Sequence, residues 1–449
     1  MLQERMEPDT ALEAAASPLD DTRAALPFHG ERERLFNELH TRPFPLLEQG
    51  SGISQIALIH EGGDAALEYR HILQLCEHFA VAPPVTVSAC LHLSLGGFEL
   101  RWERHTEFST YTFIRPLEGD SPFRGNALSQ LPEGWLAALP GRVISGLHIE
   151  LHQAPDTDAT ADTVRAHFDD HRLVSSWVIG YKARLWTAYR IHDDGFGRIL
   201  VLNKALNPCQ LGRLVRRLLE IETYRMMVLL AFPVAREVAP EITGMGLTLA
   251  GINERINAIG SLDDERRLMA SLSTLAARIE HLRSLTSFRF SAARAYYDLV
   301  LSRLQGLRED EEPGMQTFTE FLLRRLTPAY RTAESVATQL DGLATRIDRA
   351  SELLRTRIDL TLEAQNQDLL RSMDHRAQMQ LQLQQAVEGL SVVAISYYLV
   401  GMVKYLAETL HELGWISRPG IVVGLSVPVC LILVWRGIYR LRHGITHTQ

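Results

Sequence analysis

A chain of 449 residues is long enough for two or three domains with real cores, and its net charge of -8 gives no support for general nucleic-acid binding. Four cysteines (Cys76, Cys90, Cys209 and Cys430) contain no C-x-x-C pair, which excludes a disulfide framework and fits reduced thiols in a cytosolic compartment. A mean hydropathy of -0.05 with 46% hydrophobic residues fits a mostly soluble chain carrying a small membrane part.

Residues 1–30 are rich in Ala, Asp and Pro and lack an apolar leader core. They are expected to be a disordered lead-in and not a secretory signal. Residues 31–205 then mix strands and helices. A short helix starts at Glu31 and stops at Pro43, Gly52–His60 is strand-like, and Asp64–Ala80 is an amphipathic helix. Val85–Leu95, Phe98–Ile114 (two strands or one bent one) and Gly141–His152 follow as strands, and Ala159–His171 as a helix. Leu173–Gly180, Ala183–His192 and Arg198–Asn203 close the series, the last two joined by a turn at Asp193-Asp194-Gly195. This irregular order predicts an α+β (α/β/α-like) cytoplasmic domain, not a regular doubly wound sheet.

Residues 206–314 read as helical. A wide apolar stripe from Cys209 ends near Pro240, and Gly251–Leu307 supplies one or two more helices before an acidic, exposed loop at Arg308–Gly314. Residues 315–388 form a stalk. From Ala329, just after Pro328, to about Leu410, only Gly342, Gly389 and Gly401 oppose a helix. Some 80 residues make a rod of roughly 120 Å, more than a domain of this size buries. Val336, Leu340, Leu343, Ile347, Ala350 and Leu354 form a coiled-coil-like stripe, with a stutter through Ile358 and Leu362. Leu369, Met373 and the glutamine-rich run Gln378–Gln385 follow. Such an exposed stripe needs a partner, so a homo-oligomer through the stalk is expected.

Residues 389–440 predict a two-span transmembrane hairpin. Its apolar runs, Gly389–Val403 and Ile421–Trp435, are each about fifteen residues long. Each is extended by a turn and by snorkelling Lys404 and Arg436. Trp415, Trp435 and Tyr439 suit the interfaces. Arg436, Arg440 and Arg442 follow the second span, whereas Lys404 and Arg418 in the connecting loop are offset by Glu408 and Glu412. The positive-inside rule then puts both termini, and the tail 441–449, in the cytoplasm of a bacterium with the hairpin in its inner membrane.

Three stretches carry a resemblance: NELHTRPFP (Asn37–Pro45), RWERHTEFSTYTF (Arg101–Phe113) and RSMDHRAQMQLQLQQAVEGLSVVAISYYLVGM (Arg371–Met402). They resemble a family of bacterial membrane-anchored proteins catalogued as domain of unknown function 3422. The likeness spans nearly all of the chain after residue 30 and implies membrane anchoring, with no particular activity. The layout also resembles CorA-type divalent-cation channels: an α/β domain, a long stalk helix entering the membrane and a second C-terminal span. The Gly-Met-Asn motif of those channels is incomplete here, because Val403 and Lys404 follow Gly401-Met402.

The chemistry candidates are few. His148, Glu150 and His152 share one strand face, but neighbours ~6.6 Å apart and an outer pair ~13 Å apart cannot all grip one metal. Cys76-x-His78 falls on a helix, where i and i+2 diverge, so Cys76-x-His78 with Cys90-x-His92 makes a poor zinc set; buried thiols are the better reading. Glu103, His105 and Glu107 repeat the alternate spacing and share a face with Arg101; with His40 and Arg42 they form the candidate ligand-binding site, or else a cross-strand ion-pair ladder. In the first span Ser391, Ser396, Tyr397 and Tyr398, with Gly401, Met402 and Lys404, are candidates for pore lining or helix packing. No P-loop, dinucleotide fingerprint, nucleophile elbow or zinc-protease helix is present, so no enzyme activity, catalytic residue or metal is expected, and the sequence names no particular cofactor. The sequence thus points to a membrane-anchored homo-oligomer, with ion transport through the first span set against a non-conducting scaffold or tether.

Overall fold

A computed structural model describes residues 27–38, 45–60, 65–84, 89–119, 121–155, 160–258, 261–415 and 417–445. Most of the expected lead-in lies outside them. The chain forms two compact units: Met1–Ala250 with Leu275–Arg346, and Gly251–Thr274 with Ile347–Gln449.

The first unit is built on a nine-stranded sheet among the described residues. Its strands are β1 (Ser51–Ile59), β2 (Cys90–Ser94), β3 (Glu99–Arg104), β4 (Phe108–Pro116), β5 (Arg142–Gln153), β6 (Val174–Val178), β7 (Ala183–Thr187), β8 (Gly197–Asn203) and β9 (Glu309–Asp310). They lie in the order β2-β3-β4-β1-β5-β8-β7-β6-β9. Every pairing is antiparallel except β5 with β8. β1 is an inner strand covered on both faces, so every residue from Gly52 to Leu58 is buried, including Ser54 and Gln55, whose side chains bond His148 and Thr112.

Each face of the sheet carries a different layer. Ile53, Phe108, Ile149 and Val201 pack under helix α4 (Pro208–Leu229), the end of α6 (Leu262–Leu307) and the start of α7 (Phe318–Glu412). On the other face Ile56, Leu91, Trp102 and Tyr111 pack under α2 (Ala65–His78) and Trp135, while Phe168, just past α3 (Ala161–Arg165), covers Trp186 and Leu200. The helix α1 (Arg32–Glu38) precedes the sheet. The fold is therefore α+β, with the helical stalk and the apolar C-terminal helices that the sequence predicts.

Three boundaries differ from the sequence reading. The acidic segment after α6 is not simply loop: Glu309 and Asp310 pair with Val178 and Trp177 at the sheet edge. There Glu309 accepts hydrogen bonds from Ser176 Oγ (3.1 Å) and from Thr319 N (3.0 Å), the latter capping α7. Pro240 does not end a helix but lies inside α5 (Ala231–Ala258); the break comes ten residues earlier, at Leu230. Pro328 likewise lies inside α7, which starts at Phe318. In both cases packing outweighs the lost hydrogen bond, since Leu249, Leu322, Leu326 and Tyr330 on these helices are buried.

The apolar stripe of α7 is covered by the chain itself. In the first unit Val336, Leu340 and Leu343 are buried, and Arg278–Glu241 and Arg283–Asp341 ion pairs bind α6 to α5 and α7. In the second unit Ile347, Ala350 and Leu354 are buried with Leu268 and Leu272 of α6. Arg357 ends that cover, donating from Nε to Glu265 (3.2 Å) and from Nη1 to the Ile256 carbonyl (2.6 Å). As far as Leu354 the stripe needs no second copy. Beyond it Leu362, Leu369 and Met373 are exposed.

The last part of α7 and the helix α8 (Pro419–Ile445) are long and apolar enough to cross a membrane. Within this apolar part the buried positions among the described residues are Ser396, Ala407, Cys430 and Val434, all small or medium-sized, as close helix packing in lipid favours.

Candidate functional site

The strand expected across Phe98–Ile114 is two strands. β3 stops at Arg104, and His105–Glu107 turn the chain into β4, the His105 N–H donating to the Phe108 carbonyl at 2.8 Å. Alternation still aims Arg101 and Glu103 at the face that α4 covers, and the turn returns His105 to it, its ring stacked on Phe108 (centroids 4.5 Å, 22°).

Arg101, Glu103 and His105 form one wall of a cavity of about 60 Å³. Gln55, Thr110 and Thr112 supply its polar floor, and Arg216, Glu220 and Tyr224 of α4 its roof. Inside it Arg101 Nη2 lies 3.8 Å from Glu103 Oε1, and His105 Nε2 lies 3.9 Å from Glu103 Oε2. Glu220 accepts from Arg216 Nε (2.9 Å) and also pairs with Arg303 of α6. The floor is wired to the roof: Thr223 Oγ1 donates to Gln55 Oε1 (3.2 Å), and Gln55 Nε2 donates to Thr112 Oγ1 (3.0 Å). Burial pushes the Tyr224 hydroxyl up to about 12, with Glu220 adding to it, so it stays a neutral donor at physiological pH. Two arginines against two glutamates leave the walls charge-balanced. With room for about four water-sized bodies, the cavity suits a small polar or zwitterionic group.

Glu107 points elsewhere. It pairs with Arg289 of α6 at 2.8 Å, and beside it burial and that carboxylate raise the Tyr296 pKa. His40 and Arg42 lie outside the described residues. The α4 members were missed in the sequence. Their signal was the i,i+4 pair Arg216–Glu220 with Thr223 and Tyr224 next to it, polar groups among the leucines of an amphipathic helix.

His148, Glu150 and His152 lie on the opposite face of the sheet and are already committed. Ser54 Oγ bonds His148 Nδ1 (2.8 Å), whose ring stacks on Phe196 (4.3 Å, 15°). Glu150 Oε2 accepts from Phe123 N (3.0 Å) and from His152 Nε2 (2.9 Å). Burial drives His148 down to about 4 against the opposing pull of Asp194, keeping it neutral. Cys76 is buried on the core-facing side of α2, and no group of three His, Cys, Asp or Glu residues able to hold a metal occurs among the described residues.

In the apolar end of α7, Tyr397, Tyr398, Met402 and Lys404 are exposed, with Ser391 and Gly401 intermediate. Ser391 Oγ donates to the Val387 carbonyl (2.8 Å), and Lys404 lies 3.9 Å from Glu408. The structure thus brings Arg101, Glu103 and His105 together and leaves the span residues along a helix surface.

No curated protein matches the chain. The family model described as "Protein of unknown function (DUF3422)" matches residues 27–445, nearly the whole length, and the chain belongs to that family.

Proposed function

We propose that the protein is a non-enzymatic tether, held in the bacterial inner membrane by a two-span hairpin with both termini cytoplasmic and acting through its sheet domain. The observation that carries this reading is where the ionisable groups converge. Arg101, Glu103, His105, Arg216 and Glu220 meet around one cavity of the sheet domain, whereas Gly389–Val403 contains no charged residue. Cavity and anchor then divide the work: the first receives a small polar ligand or a partner's polar group, and the second fixes where that happens. The orientation is supported by the arginines that follow the second span.

A second reading, conduction, is favoured by the exposure of Tyr397 and Tyr398, whose hydroxyls would line a wet path if several hairpins assembled around an axis. The likeness to CorA-type channels rests on element order alone. The deciding experiment is the native mass of the full-length protein in mild detergent, beside a chain ending at Glu388, followed by ion flux in liposomes. A monomer or dimer without flux supports the tether. A ring of four or more subunits whose flux changes on replacing Tyr398 or Gly401 overturns it.

A further inference from the structure

A second cleft shares no residue with the cavity above. It opens between the end of α4, the start of α7 and the β6–β7 side of the sheet, and its volume is about 560 Å³, within the range of small-molecule sites. Its lining includes Arg172, Arg190, Arg225 and Arg325 and no carboxylate among the described residues. The whole chain has 54 acidic residues against 46 basic ones, so this local excess runs against its composition.

The arginines differ in what they have left to give. Arg225 is held by Glu222, with its Nε 2.6 Å from Oε2. Arg325 has its guanidinium carbon over the Phe321 ring (3.8 Å to the centroid), and its one hydrogen bond among the described residues runs from Nη1 to the Phe321 carbonyl, at 3.3 Å. Phe321 in turn stacks on Tyr189 (centroids 4.6 Å, 5°). The guanidinium is thereby pre-oriented, with its Nε and Nη2 donors unspent among the described residues. Arg172 and Arg190 are exposed. Beneath them the floor is apolar, with Leu173, Leu322 and Leu326 buried. Tyr189, in the lining, has a φ of 49°, a left-handed conformation that non-glycine residues rarely hold and that clusters at ligand sites.

We infer that this cleft binds an amphipathic organic phosphate, its phosphoryl group on Arg172, Arg190 and Arg325 and its apolar body on the Tyr189–Phe321 floor. The inference does not rest on the tether reading. The test is calorimetric titration of the full-length protein, in nanodiscs of zwitterionic phosphatidylcholine, with phenyl phosphate, dihexanoyl phosphatidic acid, inorganic phosphate and phenol. Saturable binding is expected for the first two probes, at least tenfold tighter than for inorganic phosphate or phenol. The double variant Arg190→Ala/Arg325→Ala should weaken it at least tenfold, and Arg172→Ala alone measurably, whereas Arg266→Ala, an exposed arginine elsewhere, should change nothing. Tighter binding of the phosphatidic acid identifies a lipid as the source of the group, and tighter binding of phenyl phosphate a soluble aromatic metabolite. No saturable binding of either probe, or binding equal in the double variant, overturns the inference.

Discussion

The buried histidines make the sheet domain sensitive to acid. An unfolded His148 titrates near 6.5, whereas in the fold burial holds it at about 4. Between those values the unfolded chain takes up a proton that the folded chain refuses. Stability is therefore complete above pH 6.5 and is lost as pH falls toward 4, by up to about 3 kcal/mol. His71, stacked on Trp135 at 4.1 Å and lowered by burial, adds in the same direction. Four of the six tryptophans (Trp102, Trp135, Trp177 and Trp186) lie in the sheet domain, so urea unfolding followed by fluorescence reports on it. A midpoint lower at pH 5 than at pH 7.5, with the gap narrowed in His148→Gln, is expected; a midpoint independent of pH contradicts this account. At this scale the sequence was half informative. Alternation along Arg101-Trp102-Glu103 reveals which side chains share a face, but not that α4 would lie across it, because tertiary contacts between residues 100 apart leave no local pattern. Glu107 shows the converse: its spacing matches Glu103, yet the turn at His105 sends it to Arg289.

Single elements are held by chemistry that the sequence displays at their ends. Asn207 caps α4 by accepting from Gln210 N (2.9 Å), Gln210 Oε1 accepts from Asn207 N (3.1 Å), and Pro208 sits in the first turn. Asn207→Ala is expected to destabilise the domain by about 1 kcal/mol, read as a lower thermal midpoint. At the other end of the helical excursion Arg308 follows α6 with a φ of 50°, where helices usually place glycine. Arg308→Gly should therefore raise the midpoint, by up to about 1 kcal/mol; a lowered midpoint would mean that the arginine side chain carries more than the strain costs. The start of α4 was legible, one residue from the expected Cys209, because caps are local. The run through Pro240 and Pro328 was not, because a proline's penalty of about 3 kcal/mol is weighed against burial that only the folded helix reveals. Two-residue β9 escaped for the same reason: its partner strand lies 133 residues away, from Trp177 to Asp310.

For the molecule as a whole, the covered stripe changes what assembly must rest on. The stripe from Val336 to Leu354 is buried within one chain, so any self-association through the stalk has to use the exposed positions from Leu362 onward. Replacing Leu362, Leu369 and Met373 together by Gln is expected to lower the native mass of any oligomer formed through the stalk, measured by light scattering in detergent. An unchanged mass would place assembly outside these stalk positions. The pairing of β9 with β6 also sets a schedule. The sheet is finished only when Asp310 has been made, and the first apolar run begins at Gly389, 79 residues later (389 minus 310). At the usual 5–20 residues per second, roughly 4–16 s of synthesis separate the two. That interval exceeds the folding time of most single domains. The nascent chain can thus close its sheet around both clefts before it has any apolar segment to hand to the membrane.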